Sequence, residues 1–236
     1  FLMATILKSV PVIVCEDRRE AIRHLLNSST VNIIIMDDGF QHRKVKRDLD
    51  IITISANDKK NNYRVLPWGR LREPLQNIKR ADALVFTKTE NFTSPNIHVK
   101  VSSVFNGSPI FSTIIPILMK YESSGYHKSL PLTIPLFAFC GIGEPASFFK
   151  SIEQLDIRIG GKRIFPDHQK YTGAVINELL AQINSSQIKG IITTEKDLVK
   201  LPDSFLDEFD IYVIKIEMEF EDESGVLDLI QPLLQT

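Results

Sequence analysis

The chain has 236 residues, of which 43% are hydrophobic, a length and composition typical of one large globular domain or two small ones. Lys and Arg number 28 against 29 Asp and Glu, so no charge excess favours binding to nucleic acid or adhesion to anionic lipid. No apolar stretch reaches the roughly 18 residues of a membrane-spanning helix. Cys15 and Cys140 lie in apolar runs and are predicted to be buried thiols rather than a disulfide, metal ligands or nucleophiles.

The first predicted elements are the tail of a helix over residues 1–8, a strand at Val12–Cys15 and a helix over Asp17–Leu26. The second helix is predicted because its apolar residues fall on one face. The chain begins with Phe and enters an apolar segment at once. We therefore expect the natural N-terminus to lie upstream.

The most informative segment is the apolar run Ile33–Met36, which ends in Asp37 and Asp38. A short run rich in β-branched residues predicts a strand covered on both faces. In open α/β sheets ligands bind at the carboxyl ends of the strands, and two carboxylates there could hold Mg²⁺ on a polyphosphate. The alternative is that the pair only begins a turn, since Asp-Gly is a strong turn former.

Two further polar side chains, Gln41 and His42, follow the acids closely. They add oxygen-binding and proton-handling groups that a turn does not need, and we predict that they contact substrate or phosphate. The basic run His42–Arg47 could steer an anionic substrate, although such runs are more often solvated loops.

The strands predicted next, Asp50–Ser55 and Ala83–Phe86, flank the loop Gly69–Pro74. Strands that alternate with helices predict a parallel, doubly wound sheet. The loop carries two arginines, including Arg72, and the carboxylate of Glu73. Because guanidinium groups bind phosphate oxygens bidentately, an anion-binding loop is one interpretation, and a surface loop with an internal ion pair is the other.

The second half of the chain predicts a smaller α/β unit between two strands of a connecting ribbon, Ile110–Ile117 and Ile211–Phe220. The elements of this unit are a strand at Leu136–Cys140, a helix over Pro145–Leu155, a strand at Asp156–Ile159, a helix over Thr172–Ile183, a strand at Ile188–Thr193 and a short helix from Asp197. A last helix over Ser224–Leu234 would return to the first domain. The predicted boundaries are 1–109 with 223–236 for the first domain, 110–131 and 211–222 for the ribbon, and 132–210 for the smaller domain.

Three loops of the smaller unit carry polar groups. Phe165–His168 places an imidazole in a proline-containing loop, where a single histidine is more often structural than catalytic. Thr193–Asp197 ends a strand and is predicted to cap a helix, with ligand binding as the alternative. Gly141-Ile-Gly143 resembles part of a nucleotide-binding turn, but Ala146 stands at the position of the third glycine.

Several motifs, read in order, resemble the tetraacyldisaccharide 4′-kinase family of lipid A biosynthesis. They are PVIVCEDR, IIIMDDGFQHRKVKRDLDI, LPWGRLREP, KRADALVFTK, FCGIGEPASFF, FPDHQKYT and IITTEKDLVKL. The resemblance implies a P-loop-kinase-like parallel-sheet domain joined by a β-ribbon to a smaller α/β domain. It also implies transfer of the γ-phosphoryl group of ATP to the 4′-hydroxyl of a tetraacylated glucosamine disaccharide 1-phosphate. The implied location is peripheral, at the cytoplasmic face of the Gram-negative inner membrane, with no nucleic-acid partner.

The resemblance also implies roles for individual residues. Asp37 and Asp38 match the family's Walker B-like acids, which serve Mg²⁺ and the reaction centre. His168 matches a histidine that in the family sits across an interdomain cleft and pairs with the aspartate proposed to activate the sugar hydroxyl. Arg72 and Glu73 match the family's G-P-L-R-E-P loop near the site.

The sequence departs from the family pattern at three places. No glycine begins the phosphate-binding run G-x-x-x-x-G-K-[ST] of a Walker A loop, and Arg70 stands where the family loop has proline. The Gly-Asp-Glu element that bears the base should lie just before Phe1. We therefore expect the chain to be the C-terminal two-thirds of such a kinase and inactive alone. Apolar membrane-docking surface, which the family places largely near its N-terminus, would be lost with it.

Two other functions remain open beside the kinase, which would rely on Mg²⁺-ATP, positioning and electrostatic stabilisation. A metal-dependent phosphohydrolase of the haloacid dehalogenase type also places an aspartate after an apolar strand, but it needs Asp-x-Asp, and Gly39 occupies the second acid's position. A non-catalytic α/β binding module would have kept the scaffold and lost the P-loop.

Overall fold

The structure is a computed structural model that describes residues 2–58, 63–91, 95–122, 124–129 and 132–234. The helices are α1 Leu2–Ile6, α2 Arg18–Ser28, α3 Pro95–Ser102, α4 Pro145–Gln154, α5 Gly173–Ser186, α6 Glu195–Leu198, α7 Asp203–Leu206 and α8 Glu223–Leu234, with 3-10 helices at Leu75–Arg80 and Thr89–Asn91. The strands are β1 Ile51–Ser55, β2 Ala83–Thr87, β3 Ile110–Glu122, β4 Gly125–Lys128, β5 Leu136–Cys140, β6 Ile159–Ile164, β7 Gly190–Thr194 and β8 Asp210–Phe220. Residues 123, 130 and 131 of the predicted ribbon lie outside the described residues. No helix within the described ranges has the length and apolar character needed to cross a membrane.

The chain divides into two compact units. The N-terminal unit comprises Ser9–Ile114 and Met218–Thr236, and the C-terminal unit comprises Phe1–Lys8 and Ile115–Glu217. Strands β3 and β8 each pass from one unit into the other. The domain boundaries predicted from the sequence, with a separate ribbon, remain a prediction.

The N-terminal unit is organised around the parallel pair β1 and β2. Their register runs from Ile51 opposite Ala83 to Ser55 opposite Thr87, and β3 pairs with β2 in parallel at its first two residues. The core of this unit contains Ile54, Leu75, Ile78, Leu84, Phe86, Val101 and Phe105. The two predicted strands over 50–55 and 83–86 are therefore confirmed, because their apolar side chains supply this core.

The C-terminal unit has the parallel strand order β8-β7-β5-β6. Strand β5 is buried along its whole length, and alternate residues face opposite sides of the sheet. Leu136, Ala138 and Cys140 pack with residues of α4, while Phe137 and Phe139 pack with residues of α5. Helices on both faces of a parallel sheet confirm the predicted α/β class.

Three predicted strands differ from the structure. Neither Val12–Cys15 nor Ile33–Met36 forms a strand, and Val14 and Ile35 are 85% and 92% exposed. Both runs lack a hydrogen-bonded neighbour strand in the part of the chain that the structure describes, and an apolar run without such a ladder stays extended and uncovered. The strand predicted at Asp156–Ile159 instead begins at Ile159, because Asp156 lies in a turn with φ of 52°.

Candidate active site

The double aspartate forms a tight turn in the N-terminal unit. Asp37 and Asp38 are both exposed, and Asp38 adopts a left-handed conformation with φ of 53°, which Asp tolerates better than most residues. Gly39 is buried, and a Cβ atom there would lie 2.8 Å from the Cε atom of Met36 and 3.1 Å from its carbonyl oxygen. A side chain at this position would displace the end of Met36, so glycine suits the turn, which presents both carboxylates to solvent.

Arg72 brings a positive charge to this turn. Its guanidinium Nη2 lies 3.0 Å from Oδ2 of Asp38, although 34 residues separate the two in sequence. Both side chains are more than half exposed, so the pair contributes at most about 1 kcal/mol to folding stability. Its consequence is positional, because it places the guanidinium group of Arg72 beside the acid turn.

Glu73 points away from the aspartates. Its Oε2 accepts hydrogen bonds from Arg80 at 2.8 Å and from the Asn77 side chain at 2.6 Å. The same Arg80 guanidinium lies 4.4 Å from the ring centroid of Phe40. Glu73 thus ties its loop to the residue that follows the acid turn. The internal ion pair considered for this loop does not form, since Glu73 pairs with Arg80 and Arg72 pairs with Asp38.

Gln41 and His42 line an open cavity of about 490 Å³. Its walls are the segment Gln41–Val45 and the segment Glu16–Arg19, which leads into the first turn of α2. Four basic side chains, those of Arg18, Arg19, Arg43 and Lys44, outnumber the two acids in the lining. The sequence prediction missed the contribution of α2, for which the only signal is a pair of arginines at a helix start.

The basic run His42–Arg47 is only partly a solvated loop. Arg47 makes a two-pronged contact with Asp50, at 2.5 Å and 2.9 Å, and donates to the carbonyl oxygen of His42 at 2.8 Å. The Asp50 carboxylate raises the pKa of the Arg47 guanidinium. Arg47 therefore braces the loop, whereas Arg43 and Lys44 are exposed beside the cavity.

His168 lies in the C-terminal unit, in the loop that follows β6. Its side chain is 91% exposed, and its backbone has a φ of 58°. The Asp167 side chain accepts a hydrogen bond from the His168 backbone N–H at 2.9 Å, and its Oδ2 lies 3.8 Å from His168 Nε2. Phe165 anchors the loop by packing against Phe139 and Tyr171. The imidazole is thus held out from the core rather than packed within it.

A buried acid links two loops at the carboxyl edge of the same sheet. Thr194 accepts a hydrogen bond from the Asp197 backbone N–H at 3.1 Å, which confirms the predicted helix cap. The Asp197 carboxylate is fully buried and binds the Gly141 backbone N–H at 2.9 Å and Lys200 Nζ at 3.3 Å. A Cβ atom on Gly141 would lie 3.2 Å from the carbonyl oxygen of Pro166. The sequence prediction did not anticipate this connection, because no local pattern marks it.

Cys140 is poorly suited to act as a nucleophile. Both thiols are free, and burial together with the charge of Asp197 raises the pKa of Cys140 to about 11. A thiol protonated at neutral pH is a poor nucleophile. Cys15 is only partly buried, contrary to prediction, because its apolar run does not form a covered strand.

Comparisons with known proteins give a consistent result. A sequence profile described as Tetraacyldisaccharide-1-P 4′-kinase matches residues 1–235. The tetraacyldisaccharide 4′-kinase of Desulfotalea psychrophila is 34% identical over 215 residues, which are 90% of this chain and 62% of that protein. The corresponding kinase of Aquifex aeolicus is 36% identical over 205 residues, 85% of this chain and 58% of that protein. A crystal structure of the Aquifex aeolicus protein in complex with ATP superposes with a TM-score of 0.72 at 30% identity, covering 98% of this chain and 67% of that one. The chain thus spans about three fifths of the length of these relatives.

Proposed function

The chain belongs to the tetraacyldisaccharide-1-P 4′-kinase family, and we propose that it forms the greater part of a kinase acting in lipid A biosynthesis. The reaction transfers the γ-phosphoryl group of ATP to the 4′-hydroxyl of a tetraacylated glucosamine disaccharide 1-phosphate. The match of the family profile to residues 1–235 carries this proposal. The contact between Asp38 and Arg72 is the local geometry that best agrees with it.

Asp37 and Asp38 would hold Mg²⁺ together with the phosphates of ATP. Within the described residues no group of three or more His, Cys, Asp or Glu side chains is arranged around a common metal position. Mg²⁺ on a nucleotide takes one or two carboxylates from the protein and its other ligands from phosphate and water. When bound, Mg²⁺ would offset the charge of the phosphate oxygens. Adjacent exposed carboxylates supply the hard oxygen donors that this ion prefers.

Arg72 would bind phosphoryl oxygens beside the two acids. A guanidinium offers paired N–H donors that match two oxygens of a phosphate, and its exposure leaves it accessible to a ligand. Glu73 would act indirectly, because its contacts with Arg80 and Asn77 fix the shape of the loop that carries Arg72. The loop thus combines a binding residue with a positioning residue.

Gln41 and His42 would contact the substrate from the wall of the basic cavity. The lining of Arg43 and Lys44 gives that wall a positive character, which suits a phosphorylated sugar rather than a neutral one. Such recognition needs no overall charge excess, since the basic residues are concentrated locally. The acyl chains of the substrate imply that the protein works peripherally at a membrane, which we propose to be the cytoplasmic face of the bacterial inner membrane.

His168 would orient the carboxylate that activates the sugar hydroxyl. The proposed partner belongs to a Gly-Asp-Glu element that this sequence does not contain, as is also true of the Walker A loop. We therefore propose that the 236 residues alone do not transfer phosphate. Supplying the P-loop part of a full-length relative upstream of this chain should restore ATP binding and transfer.

A chimaera of that kind tests the function. Purified chimaera and isolated chain are assayed with γ-labelled ATP and the tetraacylated disaccharide 1-phosphate, and a chimaera carrying Asp37→Ala and Asp38→Ala is the control. Label should reach the lipid only with the intact chimaera. A folded chimaera that binds ATP but transfers no label would support the binding-module alternative. Release of inorganic phosphate from the disaccharide 1-phosphate in the absence of ATP would support the phosphohydrolase.

A further inference from the structure

The loop Arg64–Leu71, here called the tryptophan loop, is held in a fixed shape by its own backbone. The Leu66 N–H donates to the carbonyl oxygen of Leu71 at 2.9 Å, and the Leu71 N–H donates to that of Arg64 at 3.0 Å. Gly69 lies so close to this turn that a Cβ atom would fall 2.3 Å from the Arg64 carbonyl oxygen. The loop backbone is therefore preformed, and it needs little further ordering to bind.

The tip of the tryptophan loop is apolar and uncovered. Trp68 is 76% exposed, Leu66 is 58% exposed and Val65 is 39% exposed, and Pro67 between them is also exposed. Single exposed apolar side chains are ordinary, but contiguous ones on one projection mark an interaction surface. Tryptophan is enriched at membrane interfaces, where its ring sits among the headgroups.

Positive charge flanks this apolar tip. Arg64 and Arg70 are both exposed, and Nη1 of Arg70 lies 3.8 Å from Oδ1 of Asp58. The loop continues directly into Arg72, whose guanidinium contacts Asp38. Arginines near an anionic surface each strengthen membrane binding by about fivefold. Apolar side chains bordered by cations match the chemistry of an anionic bilayer, with acyl chains below charged headgroups.

We propose that the tryptophan loop inserts Leu66 and Trp68 into the interface of an anionic lipid bilayer, with Arg64 and Arg70 against the headgroup phosphates. A protein partner fits less well, because a stable interface needs about 800 Å² from each side and this tip offers only a few side chains. The inference does not rest on the proposed kinase activity. Docking of this loop would also bring the acid turn of Asp38 close to a lipid surface.

Trp68 reports its own insertion, because it is the single tryptophan of the chain. The isolated chain is mixed with vesicles of phosphatidylcholine alone or with phosphatidylglycerol added, and emission spectra are recorded. Anionic vesicles should shift the emission to shorter wavelength, and lipids brominated on their acyl chains should quench it. Raising the salt concentration should weaken the effect because exposed charges are screened.

Matched substitutions distinguish membrane binding through this loop from nonspecific hydrophobic binding by other exposed side chains. Leu66→Ala should lower the affinity for anionic vesicles by about tenfold, whereas Leu26→Ala, at a leucine of α2 that is 57% exposed in the same unit, should leave it unchanged. Arg70→Gln should lower it by about fivefold and reduce its salt dependence. Circular dichroism confirms that each variant is folded.

Several results would overturn the proposal. These are no vesicle binding, binding without a change in Trp68 emission, equal binding to neutral vesicles, and equal weakening by the two leucine substitutions. An emission change that depends on protein concentration without vesicles would make a second copy of the chain the occupant. None of these results depends on phosphate transfer, so the kinase proposal stands or falls separately.

Discussion

The backbone N–H of Gly141 lies 2.9 Å from the carboxylate of Asp197, which is fully buried, and this bond joins the ends of β5 and β7. Lys200 and the Thr194 hydroxyl also bind the carboxylate. Removing the acid would leave the Gly141 N–H and the Lys200 ammonium group without this acceptor. Both lie at the edge of the sheet from which the His168 loop extends. The stability of that edge therefore depends on one side chain.

Asp197→Ala should lower the free energy of unfolding of the C-terminal unit by about 3 kcal/mol, because a buried backbone donor and the partner charge lose their acceptor. Denaturant unfolding measures the loss, and hydrogen exchange at the Gly141 amide should accelerate. Asp207→Ala, at an exposed acid of the same unit, should change stability by less than about 0.5 kcal/mol. A stable Ala variant with a protected Gly141 amide would show that the bond is not needed.

Asp38→Asn should reduce kcat of the assembled kinase by about 10² or more, because the amide removes the charge that we propose serves Mg²⁺ in the transition state. Asn tolerates the left-handed backbone at this position, so folding should be preserved. Asp37→Asn should behave similarly, whereas Asp48→Asn, at an exposed position in the same loop region, should have no effect. Near-native kcat in both acid variants at saturating Mg²⁺ would leave the pair with a role in the turn alone.

His168→Asn should lower kcat of the assembled kinase strongly while the KM for ATP stays nearly constant, since the imidazole is proposed to orient a base. Asparagine accepts a φ of 58°, whereas His168→Ala should also lose about 1 kcal/mol to backbone strain. Comparing kcat, KM and Tm of the two variants distinguishes a loss of catalytic function from a loss of conformational stability. His127→Asn is the control. Normal kcat per folded molecule in the Asn variant would remove His168 from the site.

Asp17 should make part of the stability of the N-terminal unit depend on acid pH. Hydrogen bonds from Arg19 lower the pKa of Asp17 from 3.8 to about 2 in the folded protein. The unfolded chain therefore binds the proton first, and the stabilisation is present above pH 4 and lost as the pH falls towards 2. Unfolding measured across this range should show a smaller fall for Asp17→Asn, which keeps the helix cap without the charge. Parallel curves for the two proteins would contradict the linkage.

The parts of the fold that could be predicted are those whose signal is local. Strand β5 is a continuous apolar run, and the Thr194 cap needs only a hydroxyl three residues before the N–H that it binds. The sequence also predicts the helices α4, α5 and α8 at nearly their observed bounds, because each repeats an apolar face along its length.

The parts that could not be predicted depend on partners far away in sequence. The contact between Asp38 and Arg72 spans 34 residues, and the bond between Gly141 and Asp197 spans 56. Ile33–Met36 has the composition of a buried strand, but composition does not supply the neighbouring strand that would complete it. The roles predicted for the candidate site residues remain predictions, since they concern chemistry rather than position.

The uncovered apolar run at Ile33–Met36 has a consequence for handling the isolated chain. Ile35 is 92% exposed, and the run contains three consecutive isoleucines, which have strong β propensity. Such a segment is a template for pairing between molecules, and the usual protection is a flanking charge. Asp37 and Asp38 stand directly after it, so the same two carboxylates proposed to hold the metal also supply this flanking charge.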